Sequence, residues 1–444
     1  MSRIRTRRDR DALWTNWAGN QRCAPVKVAR PSGAEDLVNL VNETAEAGRT
    51  LKVVGSGHSF TDVACTNGVM VRMDGHDKVL ETDHSDPDHP LVRVQAGIKL
   101  GDLNDALADR GMALRNLGDI AYQTVAGAMS TSTHGTGSKL GGLATQIKGM
   151  ELVTADGSVR SLSASEDPEG FQAARVGLGA LGIVSTYTLE CVPAFNLHAI
   201  EEPMRLDDML ERLDDLVDTN EHFEAYWVPH TGWALTKANN STSKAVARRS
   251  RTKEFVERVV LENVAFGAVC RLGRWNPEWI PTLARVIPST GRSEFVDRSD
   301  RIFTSPRMVH FYEMEYSIPR AEGAETVRRL RRFVEDSGLR LSFPVEIRFA
   351  APDDIFLSTA NGRPSCYIAV HVYRGMGYEQ YFRGVEAIMD SVGGRPHWGK
   401  LHYQTASTLS SRYPDWERFK AVRRRFDPHG LFANAYTERV LGPA

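Results

Sequence analysis

An acidic and a basic residue stand two positions apart in an otherwise apolar stretch at residues 344–349. Because successive side chains of a β-strand point to opposite faces, Glu346 and Arg348 share one face if this stretch is a strand. A carboxylate there can accept hydrogen bonds from two hydroxyl groups. A guanidinium offers a rigid fork that holds an oxygen and stabilises developing negative charge. Position alone is equally consistent with a paired couple whose role is structural.

The next strand-like stretch, residues 367–373, also carries a polar row, formed by Tyr367, His371 and Tyr373. If the two stretches pair as neighbouring strands, Glu346, Arg348 and His371 line one polar floor. A floor of this kind is what a polyol-binding site needs.

A further group of reactive side chains lies at residues 395–400, where His397 and Lys400 flank Trp398 and Gly399. Lys400 can bind a carbonyl or hydroxyl oxygen, or act as a base if it is desolvated. The alternative is a solvated surface lysine. For His397 a structural role is the alternative to a catalytic one.

Two glycines that flank a serine follow the apolar run Leu51–Val54, and His58 comes directly after them. Glycine has no Cβ, so such a turn can adopt positive φ and bring backbone N–H groups against a ligand phosphate or carbonyl. His58 then lies at the mouth of the turn. A histidine beside a glycine turn can also be a structural hydrogen-bonding group, so this motif alone is weak.

Two more loops of small residues occur before residue 190, at residues 125–137 and 177–184. Glycine, alanine, serine and threonine fill nearly every position of residues 125–137, so the backbone there can follow a large flat ligand closely. Three such loops beside strands predict an extended cofactor lined by backbone.

The elements around these motifs alternate between helical and strand patterns. In the first part of the chain we predict helices at residues 35–47 and 100–110, and strands at 51–54, 68–73, 91–97, 148–154, 160–162 and 185–192. In the second part we predict helices at 204–219, 321–337 and 378–392, strands at 223–228, 308–318, 341–350 and 367–373, and a polar loop at 238–253. The fold class is therefore α+β: a two-lobed cofactor domain (1–194), an antiparallel sheet with helices as a cap domain (195–425), and a segment returning to the first domain (426–444).

Bulk composition excludes several classes of protein. The chain has 444 residues and a net charge of −1, so two domains are expected and no global field favours nucleic acid. Five scattered cysteines without a CxxC spacing argue against a disulfide framework and a metal cluster. The arginine-rich start lacks the apolar run of an export signal, and no stretch is long enough to span a bilayer, so a cytoplasmic protein without a transmembrane segment is expected.

Histidines and acidic residues also mix at residues 76–89, but their spacing matches no ligand motif. We predict a solvated loop there and no metal site in the protein.

Together, the three small-residue loops resemble the flavin domain of the vanillyl-alcohol-oxidase-type flavoproteins. The Glu346–Arg348 pair and the His-Trp-Gly-Lys string, followed by Phe426-Asp427-Pro428-His429-Gly430, resemble the aldonolactone oxidoreductases over essentially the whole chain. Family tails often read Leu-Asn-Asp-Tyr where this chain has Ala433-Asn434-Ala435-Tyr436.

The resemblance implies FAD, tethered covalently through His58. The implied catalytic residues are Glu346, Arg348, Lys400 and His397. The cofactor-binding residues expected are Val54, Gly55, Ser56, Gly57, His58, Ser59, Gly118, Ala126, Gly127, Ser130, Ser132, Thr133, His134, Gly135, Gly182, Ile183 and Val184.

The activity implied is oxidation of an L-gulono-, L-galactono- or D-arabinono-1,4-lactone at its C2 hydroxyl, with an ascorbate-type product and O2 or another electron acceptor. An alditol oxidase acting on xylitol or sorbitol is the alternative, because it shares these motifs. A non-catalytic sugar-binding protein on the same fold predicts loss of Glu346, Arg348 or Lys400, and all three are present. A nicotinamide enzyme needs a third glycine where Phe60 stands.

Overall fold

The computed structural model describes residues 13–247, 266–286, 291–305 and 308–443. Its two large hydrophobic cores correspond to two domains built on separate sheets.

The first domain contains strands and helices in alternation. Its strands are β1 (Trp14–Thr15), β2 (Arg22–Cys23), β3 (Lys27–Ala29), β4 (Leu51–Val54), β5 (Val69–Arg72), β6 (Val79–Asp83), β7 (Leu91–Gln95), β8 (Met112–Ala113), β9 (Ile147–Val153), β10 (Val159–Ser163), β11 (Ile183–Glu190) and β12 (Val192–Pro193). Its helices are α1 (Ala34–Glu46), α2 (Leu100–Ala108), α3 (Val125–Ser130) and α4 (Pro168–Arg175).

Two sheets form the lobes of this domain. One is parallel and has the strand order β3-β5-β4, and the other is antiparallel and has the order β10-β9-β11-β7-β6. Helix α1 places Leu37, Leu40 and Val41 in the core at helical spacing. The glycine turn follows β4, so it lies at the carboxyl end of a parallel strand.

The second domain is an eight-stranded sheet covered by helices. Its strands are β13 (Asn196–Arg205), β14 (His222–Trp227), β15 (Trp233–Thr242), β16 (Ser293–Arg298), β17 (Phe311–Pro319), β18 (Val345–Ala350), β19 (Ser365–Tyr373) and β20 (Arg395–Pro396). Its helices are α5 (Leu206–Glu211), α6 (Leu213–Asp218), α7 (Phe266–Trp275), α8 (Ile280–Val286), α9 (Ser299–Phe303), α10 (Gly323–Ser337) and α11 (Glu379–Asp390).

The sheet has the order β16-β13-β15-β14-β18-β19-β17-β20, and its pairs are antiparallel. Helix α10 buries Val327, Leu330 and Val334 in the second core. A sheet with helices on one face leaves its other face for a ligand. The mixed α+β class and the antiparallel cap predicted from sequence are confirmed.

The chain then returns to the first domain through α12 (Ala406–Leu409), α13 (Trp416–Phe426) and α14 (Ala435–Leu441). Trp398, Leu409, Trp416 and Phe419 already belong to the first hydrophobic core. The segment that packs on the first domain therefore begins before residue 426, although the sequence analysis predicted that it begins at that residue.

Two loops predicted from sequence differ from the structure. Residues 238–242 of the predicted polar loop belong to β15, where Asn240 Nδ2 donates to Asn220 Oδ1; residues 248–253 of that loop lie outside the described residues. In the predicted solvated loop of residues 76–89, Val79–Asp83 form β6, and His76 is buried with its Nε2 3.0 Å from the Ser185 carbonyl oxygen. Within the described ranges, no helix has the length and apolar character needed to cross a membrane.

Candidate active site

A cleft of about 1100 Å³, open to solvent, lies in the first domain where the three small-residue loops meet. Predicted residues that line it are Val54, Gly55, Ser56, Gly57, His58, Ser59, Ala126, Gly127, Ser130, Gly182 and Val184. Its walls are mostly backbone and small side chains, as a long flat ligand requires.

The glycine turn presents backbone donors to this cleft. Gly57 has a φ of +72°, which favours glycine, and its carbonyl accepts a hydrogen bond from the Trp17 N–H at 2.8 Å. Among the described residues, the N–H groups of Ser56, Gly57, His58 and Ser59 donate to no protein acceptor. Free N–H groups in a row form an anion-binding concavity, so the turn suits a phosphate or a ring carbonyl.

The third loop is held in place by a buried lysine. Nζ of Lys52 donates to the carbonyl oxygens of Gly179 and Phe432, each at 3.1 Å. Gly179 (φ +59°) and Gly182 (φ +150°) are in backbone conformations that favour glycine. Lys52 therefore fixes the loop and the returning tail against each other beside the cleft.

A second pocket, of about 820 Å³, shares His58, Ser59, Gln123 and Thr131 with the cleft. It lies between the first domain and the uncovered face of the eight-stranded sheet. Predicted residues that line it are His58, Ser59, Gly118, Thr133, His134, Glu346, Arg348, His397 and Lys400, and His371 also lines it. The structure thus brings all four predicted catalytic side chains to one pocket joined to the cleft.

Arg348 is the centre of a buried polar network on the pocket floor. Its Nε donates to Glu224 Oε2 at 2.8 Å, and its Nη2 lies 2.5 Å from Glu346 Oε1. Tyr226 on β14 lies opposite Glu346 on β18, and its hydroxyl donates to Glu224 Oε1 at 3.1 Å. Although burial opposes the charged form, Glu346 and Glu224 raise the pKa of Arg348 well above its usual value. Its guanidinium fork is therefore fixed in place.

A second carboxylate, Glu313 on β17, forms an ion pair with Lys400 and lies near His371. Its Oε2 lies 2.5 Å from Lys400 Nζ, and its Oε1 lies 3.5 Å from His371 Nε2. Burial alone would raise the pKa of Glu313, but Lys400 and His371 lower it to about 2. The ion pair favours Lys400 as a cation and hydrogen-bond donor over Lys400 as a base.

His397 lies in the pocket as a neutral donor. Its Nδ1 accepts a hydrogen bond from the Gly399 N–H at 3.0 Å, so the ring proton lies on Nε2. Burial lowers the pKa of His397 to about 4, although Glu315 opposes the shift. At neutral pH the side chain can therefore donate a hydrogen bond through Nε2–H.

His58 lies among aromatic rings where the cleft and the pocket join. Its ring is 5.5 Å from Trp17 and 6.1 Å from Tyr122, centroid to centroid. Burial, with Lys400 and His310 nearby, lowers the pKa of His58 to about 4. The imidazole is therefore neutral at physiological pH, and a ring nitrogen lone pair is available.

Three predicted cofactor residues do not line either cavity. Ser132 is a buried partner of Thr359, with 3.2 Å between the hydroxyl oxygens. A Cβ at Gly135 would lie 2.2 Å from Asn116 Oδ1, so that glycine serves packing. Ile183 points into the first core. Gly118, Thr133 and His134 lie in the second pocket and not along the cleft.

Sequence reasoning missed several pocket residues. Glu313 and Glu315 alternate along β17 as Glu346 and Arg348 do along β18, and that pattern was the available signal. Trp14 and Trp17, which were not assigned to the site from sequence, line the cleft and the pocket respectively.

The loop of residues 125–137 also joins the two domains. Gly137 N–H donates to the Phe349 carbonyl at 2.9 Å, and Phe349 N–H donates to Thr136 Oγ1 at 3.2 Å. The Thr136 hydroxyl in turn donates to the Phe223 carbonyl. One loop thus lines the cleft at its start and supports strands β14 and β18 at its end.

Comparisons with known proteins cover up to 97% of the chain. A family profile described as D-arabinono-1,4-lactone oxidase matches residues 187–440, and one described as an FAD binding domain matches residues 25–163. An L-gulono-1,4-lactone dehydrogenase of Mycobacterium tuberculosis is 46% identical, with 97% of this chain and 99% of that protein aligned. An L-gulonolactone oxidase of Bos taurus is 35% identical, with 96% of this chain and 97% of that protein aligned.

Solved structures with the same fold include a solvent-stable cholesterol oxidase. It superposes with a TM-score of 0.81 at 17% identity and covers 97% of both chains. A cholesterol oxidase from Brevibacterium sterolicum gives a TM-score of 0.78 at 15% identity, covering 97% of this chain and 96% of that one. Most of the cleft lies within the region matched by the FAD binding domain, and the unpaired N–H groups of the glycine turn fit a ligand with phosphates and ring carbonyls.

Proposed function

Since the chain belongs to the D-arabinono-1,4-lactone oxidase family of FAD enzymes, we propose that it oxidises a sugar 1,4-lactone at the C2 hydroxyl. The substrate class is L-gulono-, L-galactono- or D-arabinono-1,4-lactone. The 2-keto-lactone formed enolises to an ascorbate-type enediol. The family and the FAD cofactor agree with those predicted from sequence.

The observation that carries this proposal is the buried Arg348 network on the pocket floor, next to the cleft. Arg348 is held by Glu224 and Glu346, so its fork is oriented before substrate arrives. It binds a lactone oxygen, and Glu346 accepts hydrogen bonds from the sugar hydroxyls. This geometry suits a neutral, oxygen-rich ring.

Lys400 and His397 complete the set of donors around the substrate. Lys400, held by Glu313, donates to the C2 oxygen, and His397 donates through Nε2–H. Both stabilise negative charge that develops on oxygen as the C2 hydrogen leaves. When bound, FAD supplies the acceptor, at its N5, for that hydride.

The backbone of residues 54–59 and the small residues Ala126, Gly127, Ser130 and Gly182 hold the FAD. His58 would carry it covalently, through a bond from an imidazole nitrogen to the 8α carbon. Forming that bond would remove one proton from each partner and two electrons, which the acceptor that reoxidises the flavin would take up. O2 or another acceptor fills that role in turnover.

The test is anaerobic addition of each of the three lactones, and separately of xylitol or sorbitol, to the yellow holoenzyme, followed by its visible spectrum. Bleaching of the flavin band by the lactone supports the proposal. Bleaching by xylitol or sorbitol, with no response to any of the three lactones, overturns it in favour of an alditol oxidase.

A further inference from the structure

His134 faces hydrogen-bond acceptors at both of its ring nitrogens. Its Nε2 lies 3.0 Å from Glu315 Oε1, and its Nδ1 lies 2.8 Å from the Gly135 carbonyl oxygen. A carbonyl oxygen only accepts, and an ionised carboxylate only accepts. For both contacts to be hydrogen bonds, each nitrogen must carry a proton.

The surroundings of this pair favour the same charge state. Both side chains are buried, with 3% and 8% of their surface exposed. Burial alone raises the pKa of a carboxyl group, but His134 and, independently of it, the Lys400 cation lower the pKa of Glu315 below its usual value, so Glu315 is ionised. The His134 ring also stacks on Tyr367 with 3.5 Å between centroids, and an aromatic face stabilises a cation.

We propose that Glu315 is a positioning residue that keeps His134 doubly protonated in the wall of the substrate pocket. His134 is the positive end of a buried ion pair on the side of the first domain, and Glu315 is the negative end on the sheet. This fixed dipole stabilises negative charge that develops on substrate oxygen, an inference that rests on the proposed lactone oxidation.

The same site has the donor set of a metal centre. Ligand atoms of His134, Glu315 and His397 lie within 4.8 Å of one another. A metal ion would occupy the Nε2 lone pair of His134, where the contact with Glu315 requires a proton. The hydrogen-bond pattern therefore favours the proton.

Other titratable groups near the pair affect any pH dependence. They are Tyr367 on β19, His397 and Lys400 after β20, and Glu313 on β17 beyond Lys400. His397 is neutral and Lys400 is paired with Glu313, so Glu315 is the carboxylate that contacts His134 directly.

The direct test is a ¹⁵N NMR spectrum of histidine-labelled holoenzyme at pH 8, in which the His134 signals are assigned by their absence from the variant His134→Gln. Two protonated ring nitrogens in the native protein, and one in Glu315→Gln, are expected. A neutral His134 in the native protein overturns the proposal, as does a change of its signals on addition of EDTA.

The second readout is the pH profile of anaerobic flavin bleaching by L-gulono-1,4-lactone. Glu315→Gln is expected to move the alkaline limb to lower pH by more than about one unit. Ser317→Ala, on the same face of the same strand, is expected to leave it unchanged. If the alkaline limb of the pH profile is at the same pH in Glu315→Gln as in the native protein, the proposal is overturned. If no lactone bleaches the native flavin, the proposed function fails while the NMR result still decides the charge state.

Discussion

Glu313 Oε2 and Lys400 Nζ lie 2.5 Å apart, which joins strand β17 to the loop after β20. Glu313 is buried, and 23% of the Lys400 side chain is exposed. The Glu313 carboxylate thus pairs with Lys400 and lies 3.5 Å from His371 Nε2 on the floor of the pocket.

Glu313→Gln is therefore expected to lower the free energy of unfolding by about 3 kcal/mol at pH 7, because it leaves Lys400 without its partner. The folded pKa of Glu313, about 2, lies below its ordinary value of 4.5. The stabilisation is then fully present above pH 4.5 and is lost as the pH falls toward 2. Urea unfolding of both proteins at several pH values measures the difference.

A double variant separates the pair from its surroundings. Glu313→Gln combined with Lys400→Met should be less destabilised than the sum of the two single changes. Strict additivity would show that the two side chains do not interact.

Arg348→Lys keeps the charge but removes the planar fork that contacts Glu224 and Glu346. We expect kcat/KM for the lactone to fall about a hundredfold or more. Steady-state kinetics with an artificial electron acceptor measure the loss. Arg340→Lys, at an exposed ion pair with Glu278, is the matched control and should keep native kinetics.

Gly57→Ala tests the glycine turn. A side chain at φ +72° is strained by about 1 kcal/mol, and the turn that presents N–H groups to FAD is displaced. The purified variant should contain less flavin than the native protein, measured by the ratio of visible to ultraviolet absorbance.

Gly48→Ala provides the same backbone strain away from the cleft. Gly48 has a φ of +61°, and a Cβ there meets no atom within 4 Å. Its thermal midpoint should fall while its flavin content stays native. Flavin loss in both variants would mean that general destabilisation, and not the turn, causes it.

His58→Gln should abolish the covalent tether. After acid precipitation, the native protein should give a yellow pellet and the variant a colourless one. His310→Gln is the control, because His310 stacks on Trp17 beside His58 but does not line the cleft. A colourless native pellet would exclude the tether and leave the lactone chemistry untested by this measurement.

The sequence predicted the parts of the site that depend on local pattern. Glu346 and Arg348 were assigned to one face because strand periodicity is local. His371 was placed beside them on the condition that the two strands pair, and β18 and β19 do pair. Glu224 and Glu313 were not predicted as site residues, because their positions beside Arg348 and Lys400 depend on the strand order β14-β18-β19-β17. Strand order is set by contacts distant in sequence, which no local pattern reports.

The misplaced elements have similar causes. Residues 238–242 look like a loop because β15 is rich in asparagine and serine, whose polar groups are satisfied by neighbours such as Asn220. The C-terminal segment contacts the first domain earlier in the chain than predicted, because Trp398 and Leu409 pack in the first hydrophobic core. Cores of this kind are assembled from distant segments.

The loop of residues 125–137 also sets the distance between the FAD cleft and the Arg348 network. Its start lines the FAD cleft, and its end bonds to Phe349, one residue beyond Arg348. Inserting one residue after helix α3, between Ser132 and Thr136, would displace the Arg348 network from the cleft by up to roughly 3.3 Å, the rise of one extended residue. Insertions and deletions that keep the site intact are therefore expected only outside the loop of residues 125–137. Within this loop, substrate preference can change by side-chain substitution.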